Sequence, residues 1–182
     1  MANTISFSPT TNQARRIFRE INELAQSKFE FVRLDKFSFH DAGCSISLLV
    51  KSPNDSPYEG KVFQMYIELS NKYPFEAPII GICNMYHPNL NAKEEFNLKN
   101  DWSPSLNIQA IVLSMYALFT CVHHETSCVH NYQACVDYGI GNAEFVNAAR
   151  KYYLEWQYDY SDDKAFAECL NKLNQLRQIQ TC

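Results

Sequence analysis

Residues 73–104 read YPFEAPIIGICNMYHPNLNAKEEFNLKNDWSP. Proline follows Tyr73, His87 and Ser103, and such steps confine the backbone to extended or turn conformations. Within the stretch, PIIGIC (78–83) is a continuous apolar run with β-branched content, which reads as a buried strand. Phe75 and Trp102 are its large apolar surfaces, able to hold a long loop down. Phe75 lies at a turn tip between Pro74 and Glu76, where its own domain can cover little of it.

Upstream, FEFVRLDKF (29–37), CSISLLV (44–50) and KVFQMYIEL (61–69) have alternating or continuous apolar character and read as three more strands. Asn54, Asp55, Pro57 and Gly60 mark the turn between the second and third. Before them, Ala14, Ile17, Phe18, Ile21, Leu24 and Ala25 share one face of a helix, with Ser8 as its expected N-cap and Pro9 as its first position. All seven prolines lie at or before Pro104, and the chain beyond reads as helix. Leu106, Ile108, Ile111, Val112, Met115, Leu118 and Phe119 nearly surround one helix, which implies burial on all sides. Asn142 caps another, whose expected inner face is Phe145, Ala149, Tyr152 and Trp156. Ser161, followed by Asp162 and Asp163, starts a last one with the stripe Phe166, Leu170, Leu173 and Leu176. A helix, four strands joined by short turns and then helices make an α+β fold with an antiparallel meander.

The chain has 182 residues, 46% hydrophobic and 20% charged, with a formal net charge of −4. That charge, without a basic run, gives nucleic-acid binding no electrostatic support. The longest uncharged stretch, Trp102 to His124, is interrupted by Pro104, Asn107, Gln109 and Ser114, so it reads as a buried helix rather than a membrane span. Residues 1–20 lack the apolar core of a secretory signal. They carry Arg15, Arg16 and Arg19 with no acid before Glu20, a faint likeness to an organellar targeting peptide. An intracellular, cytoplasmic location is expected, with mitochondria as the alternative. Seven cysteines, an odd number, argue for reduced thiols used as small buried residues rather than for a disulfide framework.

The motifs in chain order are Pro53, Pro57–Tyr58, Gly60 and Phe63, then Tyr73–Pro74–Phe75 with Pro78, then His87–Pro88–Asn89, then Trp102 and Pro104. Over residues 14–157 this series resembles the ubiquitin-conjugating enzymes, with ARRIFREINELA matching the family's first helix and FVNAARKYYLEW its late helix. The resemblance implies the ubiquitin-conjugating-enzyme fold over residues 1–160, with 161–182 as an amphipathic extension past the family's usual end.

The resemblance also places a nucleophilic cysteine ten residues after the motif histidine and eight before the tryptophan. Those counts fall on Asn97 and Glu94 here, because the segment is about three residues shorter than the family pattern. Asn97 has no nucleophile, and an adduct on the Glu94 carboxylate would be anhydride-like and lost to water. Cys83 sits in the preceding strand and reads as a core residue. The family's asparagine helps stabilise the oxyanion of the transferring acyl group. Without a cysteine beside them, His87, Pro88 and Asn89 are expected to be a vestigial motif that bonds its loop to itself.

CVHHETSCVHNYQAC (121–135) leaves room for other chemistry. Cys128 is the candidate for a displaced nucleophile. Cys121, His123, Cys128 and His130 follow C-x-H-x4-C-x-H, which is not a standard zinc pattern; ordinary thiols and histidines are expected, with no metal and no cofactor.

In the resembled family a ubiquitin ligase binds the first helix, the turn after Tyr-Pro and the loop after the tryptophan. Carried over by motif, that patch is Arg15, Arg16, Arg19, Phe75, Ser103, Pro104 and Ser105. Phe166, Leu170 and Leu173 of the extension join it as candidate partner-binding residues. The function expected is that of a catalytically inactive ubiquitin-conjugating-enzyme-like scaffold or adaptor, a structural subunit of a larger assembly. Its partners are other proteins, with ubiquitin machinery among them as the resemblance implies. Two alternatives stay open: an inactive variant assisting an active conjugating enzyme, and an active enzyme using Cys128. Known variants of the assisting kind tend to lack the two last helices, for which this chain keeps candidates.

Overall fold

The structure, a computed structural model, describes residues 11–91, 93–96, 98, 101–121, 129–140, 142–153 and 171. The first helix, α1 (Asn12–Ala25), buries Ala14, Ile17, Phe18, Ile21 and Leu24 as its periodicity requires. Its N-cap is Thr11 rather than Ser8, because the Thr11 hydroxyl accepts from the Ala14 N–H and closes the first turn there.

Five antiparallel strands follow in chain order across one sheet: β1 (Val32–His40), β2 (Gly43–Lys51), β3 (Val62–Ser70), β4 (Ile79–Ile82) and β5 (Glu95–Phe96). In β2 and β3 every second residue is buried: Cys44, Ile46, Leu48 and Val50, then Phe63, Met65, Ile67 and Leu69. The other face carries polar bonds, such as Gln64 to Ser47 and Ser47 to Asp35, as expected of a sheet covered on one side. β1 keeps its own apolar residues inward only through a bulge. The register shifts between Leu34 and Lys36, so Asp35 is extra and Phe37 returns to the core beside Val32 and Leu34. Gly43 (φ 144°) starts β2 so close to β3 that a Cβ there would lie 1.8 Å from the Leu69 carbonyl oxygen.

Three further helices complete the described residues: α2 (Ile108–Ala117), α3 (Tyr132–Ile140) and α4 (Asn142–Tyr153). Four readings change here. The sheet has a fifth strand, a two-residue pairing of Phe96 and Glu95 with Ile80 and Gly81, too short to leave a pattern. α2 is not buried all round. It starts at Ile108 behind an Asn107 cap, buries Ile108, Ile111, Val112 and Met115, and leaves Leu113 exposed. α3 adds a helix to those that the sequence pattern marks. On α4 the inward aromatic after Phe145 and Ala149 is Tyr153, whose hydroxyl donates to the Val62 carbonyl at 2.8 Å, while Tyr152 is half exposed. Of the expected helix from Ser161 only Asn171 is among the described residues, and it is helical.

Candidate functional site

Two regions carry the motifs. The first is a corner where α1, the β3–β4 turn and the loop before α2 meet. The turn closes tightly: the Tyr73 N–H donates to Ser70, and the Phe75 N–H donates to Lys72. Tyr73 is buried, its ring 5.8 Å from that of Trp102, and the Trp102 indole donates to the Pro74 carbonyl at 2.8 Å. Held from both sides in this way, Phe75 is left 82% exposed. Beside it, Lys72 and Glu76 pair at 2.7 Å in solvent, and the bonds from Lys72 and then Ser70 lower the Glu76 carboxyl.

The corner is joined through Glu20, a carboxylate only 2% exposed. One oxygen accepts from the Arg16 Nε at 2.7 Å; the other accepts from the Tyr73 hydroxyl at 2.6 Å and the Ile108 N–H at 3.0 Å. Burial, and then the bond to Glu20, push the Tyr73 phenol well up. The Arg16 guanidinium continues outward and donates to the Pro104 and Leu106 carbonyls at 2.8 and 2.9 Å. Expected as one of three partner-facing arginines, Arg16 is therefore committed inside the chain. Arg15 and Arg19 remain exposed, the latter in a loose 3.6 Å pair with Glu23. Ser103, Pro104 and Ser105 are exposed, with the two serine hydroxyls 2.9 Å apart.

The second region surrounds His87–Pro88–Asn89. His87 and Asn89 are buried, at 1% and 0% exposure. His87 Nδ1 accepts from the Asn89 N–H at 3.1 Å, and Nε2 lies 3.3 Å from the Cys121 carbonyl. An acceptor at Nδ1 and a donor at Nε2 are what the neutral imidazole provides. The neighbours pin the tripeptide further. The Tyr58 hydroxyl donates to the Tyr86 carbonyl at 2.7 Å, and the Pro88 carbonyl accepts from His130 and Asn131 at the start of α3.

After this motif the chain closes on itself. The Asn91 side chain accepts from the Lys93 and Glu95 N–H groups, and Glu94 takes φ 62°. The Glu94 carboxylate accepts from the Asn84 N–H at 2.7 Å, with the Tyr152 hydroxyl at 3.5 Å, while its carbonyl accepts from Ile82. Cys83, one residue past β4, is half-buried. Burial, and then the nearby Glu94 charge, push its thiol up, away from the reactive thiolate.

Residues 16–153 match the sequence pattern described as ubiquitin-conjugating enzyme. The chain is also 30% identical over 151 residues, 81% of its length, to the Drosophila melanogaster protein named ubiquitin-conjugating enzyme E2 N, of which the match covers 95%. This chain belongs to the ubiquitin-conjugating enzyme family. Its fold agrees: the solved structure of S. cerevisiae Ubc12 superposes with a TM-score of 0.66 at 23% identity, covering 81% of this chain and 80% of that one.

Within this family member, several candidates are only partly placed. Asn97, Cys128, His123, Phe166, Leu170 and Leu173 lie outside the described residues. Of the four residues weighed for zinc, Cys121 is exposed and the His130 backbone is tied to Pro88. Among the described residues no helix is long and apolar enough to cross a membrane. Sequence reasoning missed Glu20. The signal was present: it sits at the i+3 position from Ile17 and next to Ile21, a charge inside the apolar stripe of α1.

Proposed function

We propose that this member of the ubiquitin-conjugating enzyme family has no conjugating activity and serves as a protein-binding platform, a fixed subunit of a larger assembly. The observation that carries the reading is the lack of any cysteine from Asn84 to Thr120, the interval where the family's nucleophile belongs. Thioester transfer needs a thiolate that attacks one thioester and becomes the next, and no other side chain in this interval replaces it. The geometry supports the reading from the other side. Glu94 is spent on backbone bonds, and His87 and Asn89 are buried among bonds to their own chain. At the corner, among the described residues, Phe75 faces outward with Arg15 and Arg19. The partner suited to them presents an apolar pocket bordered by acidic side chains. A cytoplasmic location goes with this role as part of the proposal.

The test is incubation with ubiquitin, activating enzyme and ATP, followed by electrophoresis with and without reductant. No reducible adduct is expected. An adduct abolished by Cys128→Ala would replace this reading with that of an enzyme using a displaced cysteine.

A further inference from the structure

We infer that Glu20 is the positioning residue of the docking corner: with Arg16 and Tyr73 it fixes where Phe75 and the Ser103–Ser105 loop stand relative to α1. This rests on the platform reading above and deepens it. The three surface segments are far apart in sequence, and their placement must come from contacts behind them. Glu20 supplies these from one carboxylate. Its bonds reach the turn through the Tyr73 hydroxyl, α2 through the Ile108 N–H, and the 104–106 loop through Arg16, which donates to Pro104 and Leu106. A buried carboxylate with three donors is a strong node, because charged hydrogen bonds are short and the bonds from Tyr73 and Ile108 are buried away from water. Arg16 also stands 5.4 Å over the Tyr73 ring, so the guanidinium links the two surface segments directly as well as through Glu20. Apolar packing alone would leave such a corner able to slide. Directional bonds hold Phe75 in one place, so a partner meets it already ordered.

Amide hydrogen exchange on the full chain tests this, with Tyr73→Phe as the mild variant and Glu20→Gln as the second. Tyr73→Phe keeps the ring against Trp102 and removes only the hydroxyl. The amides of Phe75, Leu106 and Ile108 are expected to exchange at least tenfold faster in both variants, with the amides of β2 and β3 unchanged. Unchanged exchange at those three amides, or acceleration spread equally through the sheet, overturns the inference. A parallel pull-down from cells separates it from the platform reading. Tyr73→Phe should retain at least fivefold less of the proteins that the wild type retains, and Phe75→Ala fewer still. If Phe75→Ala retains them as the wild type does, the platform reading fails while the exchange result still decides the role of Glu20. If the exchange pattern moves but Tyr73→Phe retains its partners fully, the node orders the corner without serving docking, and the inference falls alone.

Discussion

The corner around Glu20 and the pocket around His87 are both built from family motifs, but they point in opposite directions. At the corner, buried polar bonds hold an apolar side chain out in solvent. At the tripeptide, His87 and Asn89 are themselves buried, with His87 Nδ1 accepting from the Asn89 N–H and Nε2 facing the Cys121 carbonyl. The two stretches of one family pattern therefore do different structural work. One set of residues presents a surface; the other set closes one. Recognition of the pattern does not distinguish them, whereas exposure and bonding partners do.

The largest effect expected is that of Glu20→Ala. It leaves the Tyr73 hydroxyl and the Ile108 N–H buried without an acceptor, at about 1–3 kcal/mol for each unsatisfied group. A loss near 3 kcal/mol should lower the melting temperature by roughly 6–12 °C, measured by circular dichroism. A shift under a degree would show that the corner does not depend on this carboxylate.

Next is His87→Ala. It removes the acceptor of the Asn89 N–H and leaves a cavity, for an expected cost of about 2–3 kcal/mol by denaturant titration. If stability were unchanged, the histidine would not be structural, and the contrast between the two regions would collapse.

Alkaline pH probes the second region more gently. Burial, and then the bond to Asp137, push Tyr86 up to about 12, and burial raises Tyr66 to about 12 as well. Both phenols ionise more easily in the unfolded chain. Their contribution is thus fully present below pH 10 and is lost as pH rises from 10 toward 12. The melting temperature should fall as pH rises from 10 toward 12, and Tyr86→Phe should soften that fall. A fall that begins well below pH 10 would assign it to other groups.

The smallest effect on stability, under about 0.5 kcal/mol, is expected of Phe75→Ala, since most of this side chain touches only water. A loss above 1 kcal/mol would mean that Phe75 packs against residues outside those described. The comparison would then lose its outward-facing half.

The fold was legible because its punctuation is chemical. Tyr73–Pro74, His87–Pro88 and Trp102–Ser103–Pro104 fix turns by sterics, and α1, β2 and β3 bury their apolar residues at regular spacing, with Glu20 and Ser47 as buried polar additions. The exceptions have local causes. α1 begins at the residue whose hydroxyl reaches the Ala14 N–H, and Ser8 and Thr11 look alike as caps on paper. The Asp35 bulge breaks the period of β1, and β5 has two residues in a charged segment, so neither shows as alternation. At the candidate site, the exposure expected of Phe75 is what the turn geometry gives, whereas Arg16 read as surface and is bound to carbonyls 88 and 90 positions away. Contacts of that range leave no trace in a local pattern.

The turn around Glu94 works as a latch on loop length. Its carboxylate, its carbonyl and its φ of 62° are all committed to closing the loop onto Asn84 and Ile82. Placing a thiol at position 97 would leave the segment about three residues shorter than the family pattern and still fastened at Glu94. Lengthening the loop would forfeit those bonds. On the inactive-platform reading proposed above, Asn97→Cys alone is therefore expected to give no conjugating activity, because the turn at Glu94 keeps the segment at its present length.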